Sequence, residues 1–266
     1  MDDRLPISVL LLARDEAELL AGLLPTLAFA REIVMVWDPR GDPAVRSLAE
    51  AGGARVFERA FDGFGPQRQF ALAQCTQPWV LWIDADERLG SVALPALRGV
   101  IGSGTGPRGV RVRRSTWFLG RRIRWCGWRG ETVLRLFTRA GASFDDAPVH
   151  ERVRLSGAGV VAAPRGLELE HLSYRTWEEC VAKMRTYGAA NAEKSWRDGR
   201  RAGPLDVLLR PPLRFARQYL LQLGILDGAH GLVLCGLAAT QVFLKYAELW
   251  DRTRRSQAAA RAEPRP

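Results

Sequence analysis

The stretch 79–87 constrains the fold of this chain more than any other. Five consecutive apolar residues, 79–83, run directly into the carboxylates of Asp84, Asp86 and Glu87. An apolar run without polar alternation is typical of a strand buried on both faces of a parallel α/β sheet. Open α/β sheets bind ligands beyond the carboxyl ends of their strands. Asp84 and Asp86 can there hold a divalent cation and, through it, a diphosphate; a solvated acidic turn is the alternative.

The segments before this stretch alternate between strand and helix patterns. Apolar runs over 7–12, 32–37 and 55–58 predict three more strands. Leucines at helical spacing after the first run, and segments 44–51 and 67–74, predict the helices between them. This order predicts a Rossmann-like, mostly parallel sheet flanked by helices. The chain contains neither the glycine-rich dinucleotide motif nor a P-loop, so neither of those nucleotide sites is expected.

Acidic residues follow three of the four predicted strands. Asp15 and Glu16 follow the first, Asp38 the second, and Asp84 and Asp86 the fourth. Acids favour turns and helix starts, which accounts for one or two of these positions. Because the carboxyl ends of parallel strands meet at one edge of a sheet, acids at all three positions are better explained by one shared crevice.

The charge balance indicates an anionic partner. The net charge is +10, and arginine supplies nearly all of the basic excess. Such a surface suits nucleic acid, an anionic membrane leaflet or phosphorylated substrates. No nucleic-acid motif or arginine-rich recognition helix is present, so no nucleic-acid partner is expected. The four widely spaced cysteines predict neither a zinc site nor a disulfide framework. The first residues do not predict a signal peptide.

The C-terminal third predicts helices and a membrane contact. Segment 176–196 has an amphipathic pattern, and 228–244 contains no Asp, Glu, Lys or Arg. The second segment is shorter than the roughly 20 apolar residues that a span requires. The basic, aromatic stretch 210–219 before it favours an interfacial or re-entrant element, with a buried amphipathic helix as the alternative. The tail, 251–266, is expected to be disordered.

Arginines and aromatic residues are interleaved over 117–128. Such a segment can stack on sugar or base faces while its arginines pair with phosphates. A hairpin with packed tryptophans and exposed arginines is the alternative.

Short motifs in a consistent order connect these observations to a known family. They comprise 7–16, 32–38, the run Phe61-Asp62-Gly63-Phe64-Gly65-Pro66-Gln67-Arg68-Gln69, 84–87, 118–121, 134–137, 148–151 and 171–175. Together they resemble the inverting family 2 glycosyltransferases of the GT-A fold, in particular the group that includes lipopolysaccharide-core β-1,4-glucosyltransferases. The resemblance covers about residues 6–250.

The resemblance implies a role for each site residue. It assigns donor binding to Asp15, Glu16, Asp38, Arg68, Gln69 and Asp84. The resemblance also implies an Mg²⁺ or Mn²⁺ ion that bridges the diphosphate of a nucleotide sugar, expected to be UDP-linked. Its implied ligands are Asp86, Asp84 and His150. Inversion requires a base to deprotonate the acceptor hydroxyl, and Glu131 and Glu151 are both candidates.

The chain departs from the family pattern at positions that bear on donor binding. Relatives usually carry Asn where Asp15 and Gln69 stand, and a Ser/Gly-rich turn where the chain has 39–42. A Pro-Arg loop beside the nucleotide can change donor affinity or donor choice.

The resulting expectation is a metal-dependent hexosyltransferase at the cytoplasmic face of the inner membrane, acting on a lipid-linked glycan such as the lipopolysaccharide core. Three regions are expected: a GT-A domain at 1–175, a membrane-associated helical region at 176–250 and the tail. A polyprenyl-phosphate or other envelope acceptor, and a non-catalytic scaffold on the same fold, are the alternatives.

Overall fold

The structure, a computed structural model, describes residues 3–103, 109–145, 152–157 and 159–262. Its strands are β1 (Leu5–Ala13), β2 (Ala30–Trp37), β3 (Arg55–Glu58), β4 (Trp79–Trp82), β5 (Glu87–Leu89), β6 (Gly109–Phe118), β7 (Arg121–Arg122), β8 (Thr132–Thr138), β9 (Ala142–Phe144), β10 (Val153–Leu155), β11 (Val160–Ala162) and β12 (Glu168–Tyr174). Its α-helices are α1 (Ala17–Leu23), α2 (Pro43–Ala51), α3 (Phe64–Gln74), α4 (Ala93–Gly102), α5 (Trp177–Arg197), α6 (Pro204–Ala216) and α7 (Gly228–Ala262).

Most of the strands form one sheet in the order β3-β2-β1-β4-β8-β6-β12-β5, with β7 and β11 paired to β6. The first four strands are parallel to one another. Beyond β4 the sheet becomes mixed, because β8 is antiparallel to both β4 and β6. Strands β9 and β10 form a separate antiparallel pair.

The central strands are buried on both faces, as the apolar runs predict. In β1, Val9 and Leu11 join one apolar cluster while Leu10 joins the other. In β4, Leu81 and Trp82 separate in the same way. The first cluster packs against α1, α2 and α4, and the second against α3 and β9. Each fully buried aliphatic side chain contributes about 1.5–3 kcal/mol.

Local sequence explains the limits of α2. Asp42 caps its start, since its side chain accepts a hydrogen bond from the Ala44 amide, and Pro43 occupies the first helical position. The helix ends at Gly52, and Gly53 adopts the left-handed conformation (φ +80°) that only glycine reaches without strain.

The chain divides into two compact units. Unit 1 comprises Met1–Arg114 and Gly130–His171, and unit 2 comprises Ser115–Arg129 and Leu172–Pro266. Unit 2 therefore takes in the arginine- and tryptophan-rich segment as well as the C-terminal helices. The boundary between the two units falls close to the expected limit at 175, but the expectation did not include 115–129 in the helical region.

Within unit 2, α7 packs against both α5 and α6. A five-residue π-helical turn (Arg217–Leu221) and a 3₁₀ turn (Gly224–Asp227) lie between α6 and α7. Strand β7 pairs with the end of β6, so residues 117–122 of the arginine-rich segment form a hairpin, and a stacking role for this segment stays a prediction.

The α/β sheet with flanking helices and a helical C-terminal appendage confirms the predicted fold class. The structure differs at the tail, where α7 continues to Ala262 instead of becoming disordered after 250. Ion pairs between side chains one helical turn apart, Glu248 with Arg252 and Asp251 with Arg255, stabilise this extension. The expectation of disorder followed from a tail rich in Arg, Ala and Pro, a composition that does not reveal these pairs.

Candidate functional site

The parallel register brings the acid-bearing strand ends to one edge of unit 1. Ala13, the last residue of β1, pairs with Trp37, the last of β2. The Ile83 amide, just after β4, donates to the Leu10 carbonyl at 3.1 Å. The exits of β1, β2 and β4 therefore follow three neighbouring strands at their carboxyl ends, where α/β sheets bind ligands.

The exits of β1 and β2 are bonded to each other. The Asp42 amide donates to the Asp15 carboxylate at 3.0 Å and to the Arg14 carbonyl at 3.1 Å. Gly41 makes this approach possible, since a Cβ there would lie 2.3 Å from the Arg14 carbonyl oxygen. Glu16 accepts from the Arg14 and Asp15 amides at 2.7 and 3.0 Å. Asp15 and Glu16 thus shape this turn of unit 1.

Asp38 is held by the arginine of the unusual turn that follows it. Arg40 donates from Nε and Nη2 to the Asp38 carboxylate, at 2.9 and 2.6 Å, and from its amide at 3.2 Å. These bonds from Arg40 lower the pKa of Asp38 from 3.8 to about 2. Asp38 is consequently ionised at neutral pH, and Arg40 fixes the orientation of its carboxylate.

A cleft of about 610 Å³ opens beside the end of β4. Five arginines, two acids and several strand residues line it: Arg68, Trp82, Asp84, Arg111, Arg114, Glu131, Thr132, Val133, Leu134, Arg135, Arg152 and Val153. The excess of arginine makes the cleft suited to an anionic ligand.

Asp84 is the most heavily bonded side chain in this cleft. Its carboxylate accepts from Trp82 Nε1 at 3.1 Å, from Arg68 Nη2 at 3.2 Å and from Arg135 Nη2. The two guanidinium carbons lie 4.2 and 4.0 Å from the Trp82 ring centroid, a distance that permits cation–π attraction. Asp84 therefore holds the two arginines against the ring of Trp82.

The ion pairs of this region form one alternating chain of charges. Its members are, in order, Arg68, Asp84, Arg135, Glu87, Arg114 and Glu131. Arg135 Nη2 lies 2.7 Å from Glu87, and Arg114 contacts Glu87 at 3.5 Å and Glu131 at 2.5 Å. We call this set the charge relay. It connects the acid predicted for donor binding to the acid predicted as catalytic base.

Burial and neighbouring charges together shift the pKa values of Asp84, Glu87 and Arg68. Burial by itself would raise the pKa of Asp84, but the charges of Arg135 and Arg68 hold it well below its usual range. Glu87 is fully enclosed, and burial together with the charge of Asp84 raises its pKa. Burial lowers the pKa of Arg68 to about 10, which leaves it charged at neutral pH.

Asp86 has a histidine neighbour that the sequence did not single out as a ligand. His171 Nε2, in β12, lies 3.2 Å from the Asp86 carboxylate. Strand β12 pairs with β5, which begins directly after the acidic turn, and this pairing sets His171 opposite Glu87 in the register. Among the described residues, no three His, Cys, Asp or Glu side chains converge as a complete metal site.

Of the remaining predicted site residues, some lie in the cleft and others lie elsewhere. Glu131 lines the cleft with Asp84 and Arg68, so the structure brings these three together. The Gln69 side chain instead accepts from the Phe144 amide at 2.8 Å, which ties α3 to β9. His150 and Glu151 lie outside the described residues, and their roles stay predictions.

Sequence reasoning missed Arg135, Arg114 and Glu87. A signal for Arg135 was available: it is the one charge in the apolar run 133–137, and a charge in a buried strand requires a partner. Its partners Asp84 and Glu87 lie about fifty residues away, so periodicity could not identify them.

These features define an α/β protein with an arginine-rich cleft at the carboxyl edge of its parallel strands, the edge at which this class of sheet binds ligands. Similarity to known proteins is consistent with this class. The chain is 29% identical to the lipopolysaccharide core biosynthesis glycosyltransferase LpsC of Rhizobium meliloti, over 95% of this chain and 94% of that protein. It is 22% identical to an uncharacterised glycosyltransferase of Rickettsia prowazekii, over 94% and 89% of the two chains.

Among solved structures, the mannosyltransferase PcManGT of Pyrobaculum calidifontis, in complex with GDP-Man and Mn²⁺, has a TM-score of 0.47 and 18% identity. The match covers 99% of this chain and 77% of that one. No protein-family model matches the chain. By its full-length sequence similarity, the chain is a homologue of glycosyltransferases.

Proposed function

We propose that this protein is an inverting family 2 glycosyltransferase that moves a hexose such as glucose from a UDP-linked donor to a lipid-linked glycan such as the lipopolysaccharide core. The observation that carries the proposal is the presence of Asp84, Arg68 and Glu131 in one cleft of about 610 Å³, at the acid-bearing edge of the sheet. Full-length similarity to LpsC supports the class of acceptor.

In this proposal, two groups of residues at the strand edge contact different parts of the donor. Asp15, Glu16 and Asp38 face the nucleotide, and Arg68 with Asp84 faces the diphosphate. Arg68 supplies a planar cation for phosphate oxygens, and Trp82 with Asp84 fixes its orientation. Gln69 acts indirectly, because its bond to β9 holds α3 and therefore Arg68 in place.

A divalent cation, Mg²⁺ or Mn²⁺, fits this edge when the donor completes its ligand set. Asp86 and His171 offer one carboxylate and one imidazole side by side. Magnesium sites commonly use one or two carboxylates together with substrate phosphates and water. Ligation by Asp84 would require it to give up a bond to an arginine, and His150 remains a further predicted ligand. Such a cation would stabilise the charge of the leaving diphosphate.

The transfer step needs one carboxylate to accept a proton. The acceptor hydroxyl oxygen attacks the anomeric carbon, the bond from that carbon to the diphosphate oxygen breaks, and the hydroxyl proton passes to the base. We assign this role to Glu131, whose side chain is 37% exposed in the cleft while Arg114 fixes its orientation. Glu151 is the alternative base.

The proposed acceptor also implies that the protein contacts a membrane. A lipid-linked acceptor places the enzyme at the cytoplasmic face of the inner membrane, as a peripheral or re-entrant protein. One described segment, Gly224–Ala258, is long enough to cross a membrane and contains a stretch of 18 residues with a mean hydropathy of 1.4, apolar enough to do so. A polyprenyl-phosphate or other envelope acceptor fits the same location.

One observation favours a second candidate, a non-catalytic scaffold on this fold. Arg40 occupies the Asp38 carboxylate that would contact the nucleotide. A scaffold would therefore bind no nucleotide at this edge.

Thermal unfolding of the purified protein separates the two candidates. With Mn²⁺ present, UDP should raise the midpoint more than GDP does, because ligand binding to the folded state stabilises it. Asp86→Ala should remove the part of the shift that depends on Mn²⁺. If neither nucleotide shifts the midpoint, the scaffold is favoured.

A screen of radiolabelled nucleotide sugars for hydrolysis or transfer tests the reaction itself. Glu131→Gln should lower turnover by at least about a hundredfold without losing the UDP shift, since loss of a general base typically costs 10²–10⁴-fold. Glu50→Gln, on the exposed face of α2, is the matched control and should keep full activity. Full activity of Glu131→Gln would transfer the base assignment to Glu151.

A further inference from the structure

Unit 2 exposes large apolar side chains where α6 ends and α7 begins. We call five of them the apolar ridge: Leu213, Leu220, Leu221, Ile225 and Leu226. Each is about half exposed or more, and Leu221 reaches 80%. Single exposed leucines are common on soluble proteins, but five on packed neighbouring elements mark an interaction surface.

The backbone beside the ridge supports this interpretation. Leu223 adopts a left-handed conformation, with φ +57°, and its side chain is 41% exposed. An L-residue with a side chain in this region costs on the order of 1 kcal/mol, and glycine or asparagine would avoid the cost. A leucine that stays exposed gains little stability from burial to offset this strain. The presence of a leucine here is better explained by an apolar partner.

Exposed arginines surround the ridge. We call Arg121, Arg124, Arg129, Arg214 and Arg217 the arginine collar; all five are exposed. Among the described residues, the structure shows no carboxylate partner for any of them.

The hairpin part of the collar is fixed to the ridge by buried hydrogen bonds. Asp227 accepts from the amides of Arg124 and Trp125 at 3.0 and 2.8 Å. Gln218 Nε2 donates to the Cys126 carbonyl at 3.1 Å. Asp227 and Gln218 are 3% and 1% exposed. The nearby acid thus binds main-chain amides instead of the guanidinium groups of the collar.

Arginines near the far end of α7 have acidic partners. Arg252 contacts Glu193 and Glu248, and Arg254 and Arg255 contact Asp251. The five arginines of the collar differ from these three, since the structure shows no carboxylate partner for them among the described residues. Apolar side chains bordered by exposed arginines are complementary to a bilayer leaflet with anionic headgroups.

We propose that the apolar ridge inserts into one leaflet of an anionic bilayer, with the arginine collar among the headgroups, and that α7 does not cross the membrane. The charge-free part of α7, residues 228–244, is about 26 Å long at 1.5 Å per residue, less than the roughly 30 Å hydrocarbon core. A span of about 30 Å needs about 20 residues, so it would draw Lys245, which directly follows the charge-free part, into the hydrocarbon. The proposal rests on the proposed function only in the choice of membrane.

Vesicle flotation of the full chain tests the ridge and the collar separately. The wild type should bind phosphatidylcholine vesicles that contain phosphatidylglycerol and should bind pure phosphatidylcholine weakly. The double variant Arg214→Gln/Arg217→Gln should lose roughly thirtyfold in affinity, because each surface arginine contributes about fivefold. Leu221→Glu/Leu226→Glu should bind weakly and be released completely by high salt.

Matched controls separate this surface from general charge and apolarity. Arg254→Gln/Arg255→Gln removes the same charge from paired arginines, and Val92→Glu removes an exposed apolar residue of unit 1. Both should stay within about twofold of the wild type. Equal losses in the arginine pairs would overturn the role of the collar. Elution as a dimer that Leu221→Glu/Leu226→Glu dissolves, with no vesicle binding, would identify the ridge as a contact between copies.

Thiol labelling tests the position of α7. Ser256→Cys places a thiol on the exposed far part of α7 with little change in side-chain size, whereas the native cysteines are buried. With protein added outside the vesicles, a membrane-impermeant reagent should label this residue fully; protection would show that α7 spans. The UDP shift should be unchanged in every ridge and collar variant. Vesicle binding by a protein that shows no nucleotide shift would reject the proposed function and keep this inference.

Discussion

Arg135 lies between two acids that would otherwise face each other, with Arg68 and Arg114 only at their outer sides. Its guanidinium contacts Asp84 and Glu87, and it is 4% exposed. Removing it leaves two adjacent carboxylates facing each other at the end of β4, which costs more than the loss of an ordinary ion pair.

Arg135→Leu should therefore lower the free energy of unfolding by about 3–5 kcal/mol, the usual cost of breaking a buried charge pair. Urea unfolding measures this change. Arg139→Leu, just past the end of the same strand, is the control, because Arg139 is exposed and donates to the Gln77 carbonyl. It should cost about 1 kcal/mol or less. Equal effects in both variants would show that the relay is not a buried charge network.

Arg40 gives a prediction about pH. The pKa of Asp38 is depressed, from 3.8 to about 2, so its contribution to stability is present above 3.8 and is lost as the pH falls towards 2. Arg40→Met should return the pKa of Asp38 towards 3.8 and move this loss to higher pH. Carbon-13 NMR of the Asp38 carboxyl group reports the value directly. An unchanged titration would mean that Arg40 does not hold the carboxylate.

At the scale of elements, the sequence predicts strands well and pairings poorly. The predicted runs 7–12 and 32–37 fall within β1 and β2, because a strand buried on both faces needs an apolar residue at nearly every position. The acid-bearing exits were predictable for the same reason. The charge relay and the Asp86–His171 contact were not, since each depends on β8 or β12 returning beside β4 or β5. The arginine-rich hairpin was ambiguous because alternating arginine and tryptophan fits two environments.

The close packing of α5 on α7 is testable with two glycines. A Cβ on Gly188 would lie 3.3 Å from the Leu244 Cβ, whereas one on Gly236 would meet nothing within 4 Å. Gly188→Leu should destabilise unit 2 by about 1–3 kcal/mol through overpacking. Gly236→Ala should stabilise α7 by about 0.5–1 kcal/mol through helix propensity. Thermal unfolding compares the two; destabilisation by Gly236→Ala would contradict the open surroundings of that position.

At the scale of the whole molecule, the predicted chemistry and the predicted membrane contact belong to different units. The charge relay is made by unit 1, and the apolar ridge by unit 2. Changes at sites without shared partners usually have additive effects.

The ridge variant Leu221→Glu/Leu226→Glu should thus leave transfer to a detergent-solubilised acceptor unchanged and lower transfer to the same acceptor in vesicles by about tenfold or more. Initial rates in the two acceptor formats provide the measurement, with Val92→Glu as the control. Equal losses in both formats would indicate that the ridge supports the catalytic unit itself.

The alternating order of the charge relay also limits how such a site can evolve. Losing Arg135 alone leaves Asp84 and Glu87 facing one another, and losing Glu87 alone leaves two arginines facing one another across its place. Joint replacement of this adjacent pair by apolar residues of similar volume should cost much less than the sum of the single changes. A lineage would therefore have to lose or reverse these charges in neighbouring pairs, and homologous sequences should show Arg135 and Glu87 changing together.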